Sequence, residues 1–179
     1  LHLSLRRQRQ MCIRDRGTIT TALCNTFKHE LLLGLHAFET DTFKIALIKA
    51  SPTDNYGAAT TNYSVGGYDN EGATSFTTAT TLTGGNNDEY TGGAGYSASG
   101  INLTGVTATL AGTTAFIDFA DTSWTSATFT TRGCIIYNTS QSNKAVMVID
   151  FGADFSVSGG TFQIQFPTAA HNTALIRIS

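Results

Sequence analysis

Carboxylates set in repeated surroundings are the first residues of this chain that could do chemistry. Ile117-Asp118-Phe119-Ala120-Asp121 and Ile149-Asp150-Phe151-Gly152-Ala153-Asp154 echo one another. Asp118, Asp121, Asp150 and Asp154, brought together from neighbouring strands, would supply the acid and base of glycoside hydrolysis. Strand alternation sends Ile and Phe to one face and the first Asp to the other, and leaves the second Asp at a strand end. Solvated outward positions and strand-end caps account for that pattern without catalysis. A glycosidase also needs a cleft with aromatic subsites. The one Trp, Trp124, reads as a core or rim anchor.

Other chemistries find even less. His29 and His36 fall seven apart in a helical pattern and His171 sits in a terminal loop, so no base faces a nucleophile, and no G-x-S-x-G elbow occurs. Cys24 and Cys134 are flanked by apolar residues outside any Cys/His cluster, which reads as two buried thiols and not as zinc ligands. Asp69-Asn70-Glu71-Gly72 and Asn86-Asn87-Asp88-Glu89 are oxygen-rich enough to interest calcium, but the EF-hand register is absent. Gly92-Gly93-Ala94-Gly95 lacks the Lys and the strand–helix setting of a phosphate loop. No catalytic, cofactor-binding or metal residue is assigned, and the expectation is a protein that is not an enzyme and carries no cofactor.

Residues 6–16, Arg-Arg-Gln-Arg-Gln-Met-Cys-Ile-Arg-Asp-Arg, read as the in-frame translation of a transposase-type sequencing adapter, with Leu1-His2 matching the segment upstream of it. Residues 1–16 are therefore set aside as not native, and the native start is expected near Thr20–Cys24. The competing reading is a basic nucleic-acid-binding arm. Setting them aside removes five Arg and one Asp, leaving 6 Lys+Arg against 12 Asp+Glu, a net charge of −6. So acidic a chain has no electrostatic footprint for a phosphate backbone, and nucleic acid drops out as a partner. No run approaches the length of a membrane span, so a membrane drops out too.

The elements that must position these residues are mostly strands. About 30 Thr and 18 Gly, with only 2 Pro, suit pleated surfaces joined by tight turns. Leu23, Phe27, Leu31, Leu35 and Phe38 recur at helical spacing, with Asn25 or Thr20–Thr21 as N-cap, which predicts an N-terminal helical segment within 17–40. Leu32 and Leu33 lie off that stripe, so the helix should be covered on more than one side, under a sheet edge or against a neighbouring subunit. Residues 41–179 are expected as one β-domain. Thr42–Lys49 is its first strand, and 53–100 is a long Gly/Thr-rich loop region in which Ser75–Leu82 is a possible strand. Val106–Leu110, Ala115–Phe119, Thr128–Tyr137, Ala145–Phe151, Phe162–Phe166 and Ala174–Ile178 then follow as strands. Ala111–Thr114 and Asn138–Asn143 read as hairpin connections. Without helical crossovers the sheets should be antiparallel. The fold class is mainly β, an antiparallel β-sandwich of jelly-roll or Ig-like type with one N-terminal α-helix.

Four segments, CNTFKHELLLGLHAFETDTFKIALIKASP (24–52), LTGVTATLAGTTAFIDFADTSWTSATFTTRGCIIYN (103–138), KAVMVIDFG (144–152) and FQIQFPTAAHNTALIRIS (162–179), resemble a family of small β-rich structural proteins of tailed bacteriophages and viral metagenomes. The resemblance implies a non-enzymatic virion structural protein, either head decoration or tail component. It would be made in the host bacterial cytoplasm and located in the virion, with other capsid or tail subunits as partners and a homo-oligomer as a further option. It carries no residue-level role. The alternative is a glycan- or host-surface-binding module of a tail fibre or adhesin, with Tyr56, Tyr63, Tyr68, Tyr90 and Tyr96 offering ring faces from the loop region.

Overall fold

The alternating run at Phe43–Lys49 forms strand β2, whose middle is buried on both faces: Ala46 and Ile48 are as enclosed as Ile45 and Leu47. A strand apolar on both faces needs cover on both. On one face Phe43 stacks on Phe38, with ring centres 4.8 Å apart, and meets Phe119 at 5.9 Å. On the other, Lys44 pairs with Tyr137, whose ring stacks on Tyr63 at 4.4 Å.

The computed structural model describes residues 17–64, 67–69, 88–91 and 93–179. The adapter-like segment 1–16 and the possible strand Ser75–Leu82 lie outside them. Among the described residues the chain is mainly β, with one helix and two antiparallel sheets, a β-sandwich-like fold. The elements are β1 (Ala22–Leu23), α1 (Asn25–Leu32), β2, β3 (Asn62–Ser64), β4 (Gly67–Asp69), β5 (Ile101–Asn102), β6 (Thr107–Ala111), β7 (Thr114–Asp118), β8 (Thr122–Asn138), β9 (Lys144–Ile164) and β10 (Ile176–Ile178). The larger sheet runs β4-β3-β9-β8-β2-β5, with β1 also on β9, and the smaller runs β10-β7-β6. The 53–100 region, expected as loop, thus contributes β3 and β4 and an antiparallel bridge from Glu89 to Ile48.

β8 and β9 form one long hairpin of 17 and 21 residues, closed by the polar 138–143 turn. The strands expected separately at Ala145–Phe151 and Phe162–Phe166 are two ends of β9. A bulge hides their continuity: Thr131 pairs with Phe155 but Gly133 with Asp150, so β9 sets four residues against Arg132 alone. Beyond it the alternation Trp124, Ala127, Phe129 slips at Ser126, where the ladder shifts again.

Helical backbone within 17–40 is confined to α1. Its N-cap is Cys24, with no side-chain cap bond, and not Asn25 or the Thr20–Thr21 pair. It ends because Gly34 turns left-handed (φ +69°), so Gly34 N–H bonds Leu31 O and Leu35 N–H bonds Glu30 O. That pair of bonds is a Schellman stop. Leu35, His36 and Phe38 therefore leave the helical stripe that their spacing implies.

Candidate functional site

The four aspartates do not assemble. Asp121 adjoins Thr122, which pairs with Ile164, whereas Asp150 pairs with Gly133, eleven positions along β8. At about 3.3 Å per residue, roughly 36 Å of strand separates the two ends. Arg132 Nε donates to Asp150 Oδ1 at 3.1 Å, and its guanidinium lies 3.6 Å from Asp154. Both carboxylates therefore brace the β9 bulge. Asp121 Oδ1 accepts from Phe166 N–H at 2.9 Å and ties the β7–β8 corner to the chain after β9. Asp118 is not an outward, solvated position. It is buried, its Oδ1 accepts from Phe119 N–H at 2.9 Å, and its Oδ2 has no hydrogen-bond partner among the described residues. Burial pushes its carboxyl above the usual range, against the pull of the Phe119 and Leu175 backbone and with the charge of Asp121 adding to the rise.

Asp88 and Glu89 are buried side by side, each surrounded by donors. Asp88 accepts from Thr53 N–H and Oγ1, from Asp54 N–H at 3.0 Å and from Tyr56 Oη at 2.7 Å, with the Lys49 ammonium 2.7 Å away. Burial alone would raise its carboxyl. The Lys49, Tyr56, Thr53 and Asp54 contacts outweigh that and hold it below the usual range. Glu89 accepts from Tyr63 Oη at 3.0 Å, Tyr96 Oη at 2.8 Å and Ser99 N–H at 2.6 Å. Carboxylates saturated by N–H and O–H donors do not have the geometry of calcium ligands. Asn70-Glu71-Gly72, Asn86-Asn87 and Gly92 lie outside the described residues.

The same geometry settles where the tyrosines stand. Tyr56, Tyr63 and Tyr96 are buried, so their rings serve the core and their hydroxyls serve Asp88 and Glu89. Tyr90 is partly buried, packed between Tyr96 and Phe129. Tyr68 enters through its backbone pairing with Tyr63. Cys24 and Cys134 are free and fully buried, and burial pushes the Cys24 thiol up to about 12 and Cys134 higher still, which leaves both thiols unreactive.

A second polar cluster pins α1, and no sequence signal announces it. His36 Nε2 lies 3.0 Å from Glu30 Oε2, and Lys144 donates to Glu30 Oε1. Asn138 Nδ2 donates to Asp41 Oδ2 at 2.7 Å and to His36 Nδ1 at 3.0 Å. Because Nδ1 accepts, the ring carries its hydrogen on Nε2 and donates it to Glu30. Asn138 Oδ1 in turn accepts from Ser140 N–H at 3.0 Å, capping the hairpin turn. One network thus joins α1, the chain after it and both strands of the long hairpin.

Among the described residues, the smaller sheet carries an exposed apolar face. Across the smaller sheet Ile178, Ala115 and Leu110 form one row and Ile176, Ile117 and Ala108 the next, so all six share a face. With Leu31 and Phe38 they line a groove of about 250 Å³. Leu110 is 72 % and Ile178 58 % exposed, and Leu32 and Leu33, following Leu31 in the chain, are 87 % and 59 % exposed. Among the described residues no group of three or more His, Cys, Asp or Glu could hold a metal ion, and no helix is long and apolar enough to cross a membrane.

No protein-family model, curated protein or solved structure matches the chain.

Proposed function

We propose that this chain is a non-enzymatic structural component of a bacteriophage virion, a head-decoration or tail protein that assembles with other virion proteins. The observation that carries the assembly reading is the exposed aliphatic wall of Leu110 and Ile178 on an uncharged groove. A solvent-exposed surface of that kind is costly unless a partner covers it. The bonding of Asp150 and Asp154 at the bulge, of Asp121 at the corner and of Asp88 and Glu89 to tyrosine hydroxyls supports the non-enzymatic reading. The resemblance of segments 24–52, 103–138, 144–152 and 162–179 to phage structural proteins supports the virion setting. On this reading the protein is made in the host bacterial cytoplasm and carried in the particle.

The host-surface glycan alternative loses support from the burial of Tyr56, Tyr63 and Tyr96, which removes three of its five ring faces. The test is the genomic surroundings of the gene, read from long uninterrupted reads with the adapter sequence trimmed. Neighbouring reading frames for portal, capsid or tail components support the proposal, and their identity separates head from tail. Neighbours belonging to ordinary cellular metabolism overturn it.

A further inference from the structure

Strand β6 is the last strand of the smaller sheet, and its outer edge pairs with no other strand among the described residues. Ala111 and Thr114 close a two-residue turn with Gly112 at φ +62°, the II′ arrangement, which makes them a hydrogen-bonded pair. Alternation along an antiparallel ladder then makes Leu110–Ala115 and Ala108–Ile117 non-hydrogen-bonded pairs. The N–H and C=O groups of Ala108 and Leu110 therefore point away from β7. Both residues are exposed, and no backbone group among the described residues bonds these four groups.

Sheet edges are normally blunted by a charge, a proline or a bulge. β6 reads Thr-Ala-Thr-Leu-Ala and has none of these, and its register with β7 runs without a shift. The opposite edge of the same sheet is guarded. By the same alternation β10 turns only the backbone of Arg177 outward, and the guanidinium of that residue donates to Asn172 O at 2.7 Å.

The groove adjoins the open edge, because Ala108 and Leu110 stand on its face. In the hydrogen-bonded register, a residue set antiparallel opposite Leu110 puts its side chain on the same face as Leu110. An incoming strand thus meets two demands with the same residues. Its positions i and i+2 bond the edge of β6 and lay their side chains beside the exposed Leu110.

We infer that the open edge of β6 receives an extended segment of a different protein. The segment adds antiparallel as a fourth strand, with aliphatic side chains at alternate positions and basic residues flanking them. The outward backbone groups select a strand over a helix. Aliphatic side chains follow from the uncharged lining of the groove. A different chain with basic flanks follows from charge: outside residues 1–16, 6 Lys+Arg stand against 12 Asp+Glu, so acidic segments, copies of this chain included, are repelled. The inference rests on the assembly reading and gives its partner a chemistry.

The test is calorimetric titration of the full chain with a blocked peptide of alternating valine and threonine between terminal arginines. Saturable one-to-one binding is the expected result. N-methylation of the valines removes the amides that pair with β6 and should weaken binding at least tenfold. N-methylation of the threonines, whose amides face outward, should leave binding unchanged. Leu110→Asp lies at an exposed position, and with an unchanged melting temperature it should weaken binding as much as the methylated valines do. No binding, binding indifferent to Leu110→Asp, or equal binding of the two methylated peptides overturns the inference. So does an edge already occupied by a second copy, seen in sedimentation as a mass above 19.0 kDa that Leu110→Asp returns to 19.0 kDa. If the probe fails while the chain is present in purified particles, strand addition falls and the assembly reading stands.

Discussion

His36 Nε2 and Glu30 Oε2 lie 3.0 Å apart although the chain between them has reversed through the Gly34 stop. The contact folds the segment after α1 back on the helix it has just left. Lys144 on the other oxygen of Glu30, and Asn138 on the other nitrogen of His36, then fasten both to the long hairpin. Burial works against the Glu30 charge, but the hydrogen bonds from His36 and Lys144 and the charge of Lys144 outweigh it and hold the carboxyl below the usual range.

Removing one member of such a cluster leaves the others buried and uncompensated. Glu30→Ala is expected to destabilise the fold by about 3 kcal/mol. Lys144→Ala should cost less, because part of the Lys144 side chain is in water and His36 still faces Glu30. Urea titration distinguishes them, with the midpoint falling at an unchanged slope.

Acid should unlock the loop side of the molecule through Asp88. Its folded carboxyl is held below its unfolded value, so it contributes stability that is fully present above the unfolded value near 3.9 and lost as pH falls through the lower folded one. Asp88→Asn should flatten the pH dependence of the melting temperature between about pH 4 and pH 2 relative to the parent chain. A parallel pair of curves would deny Asp88 that role.

Asp118 has the opposite sign. Its folded carboxyl is raised, so its ionisation opposes folding as pH climbs through and above the unfolded value. Asp118→Asn keeps an acceptor for Phe119 N–H and removes the buried charge. It should stabilise the fold at neutral pH by on the order of 1 kcal/mol, an advantage that vanishes once the parent carboxyl is protonated. Thermal melts at neutral and acid pH read both halves of that statement.

Gly34 and Gly100 both have positive φ, +69° and +64°, but their surroundings differ. A Cβ at Gly34 meets nothing within 4 Å, whereas one at Gly100 would sit 1.8 Å from the backbone oxygen of Ile45. Gly34→Ala should therefore cost about 1–2 kcal/mol of left-handed backbone strain and no more. Gly100→Ala adds a clash with the central strand β2 and should cost several kcal/mol, enough to lower soluble yield. Equal losses would contradict the close approach at Gly100.

The parts legible in the sequence are those set by local periodicity and turn chemistry. β2 announces itself by alternation, β6 and β7 by Ala111-Gly112-Thr113-Thr114, and the hairpin turn by its polar run. The span of β8 and β9 is not legible. The bulge opposite Arg132 inserts residues that break a period of two, and an alternation that slips reads as two short strands. Helical spacing from Leu23 to Phe38 overreaches because periodicity has no term for a Gly34 turn. The polar clusters depend on partners far along the chain, Asp88 with Tyr56 and Glu30 with Lys144. No local pattern distinguishes an aspartate bound for a tyrosine hydroxyl from one bound for calcium. The tyrosines of 53–100 read as surface rings for the same reason.

The most direct test of the structural-protein account is quantitative mass spectrometry of purified phage particles that carry this gene. The account predicts peptides of this chain in intact, nuclease-treated particles, at a fixed ratio to the major coat or tail subunit across preparations. Its abundance in infected-cell lysate together with its absence from washed particles would contradict the account.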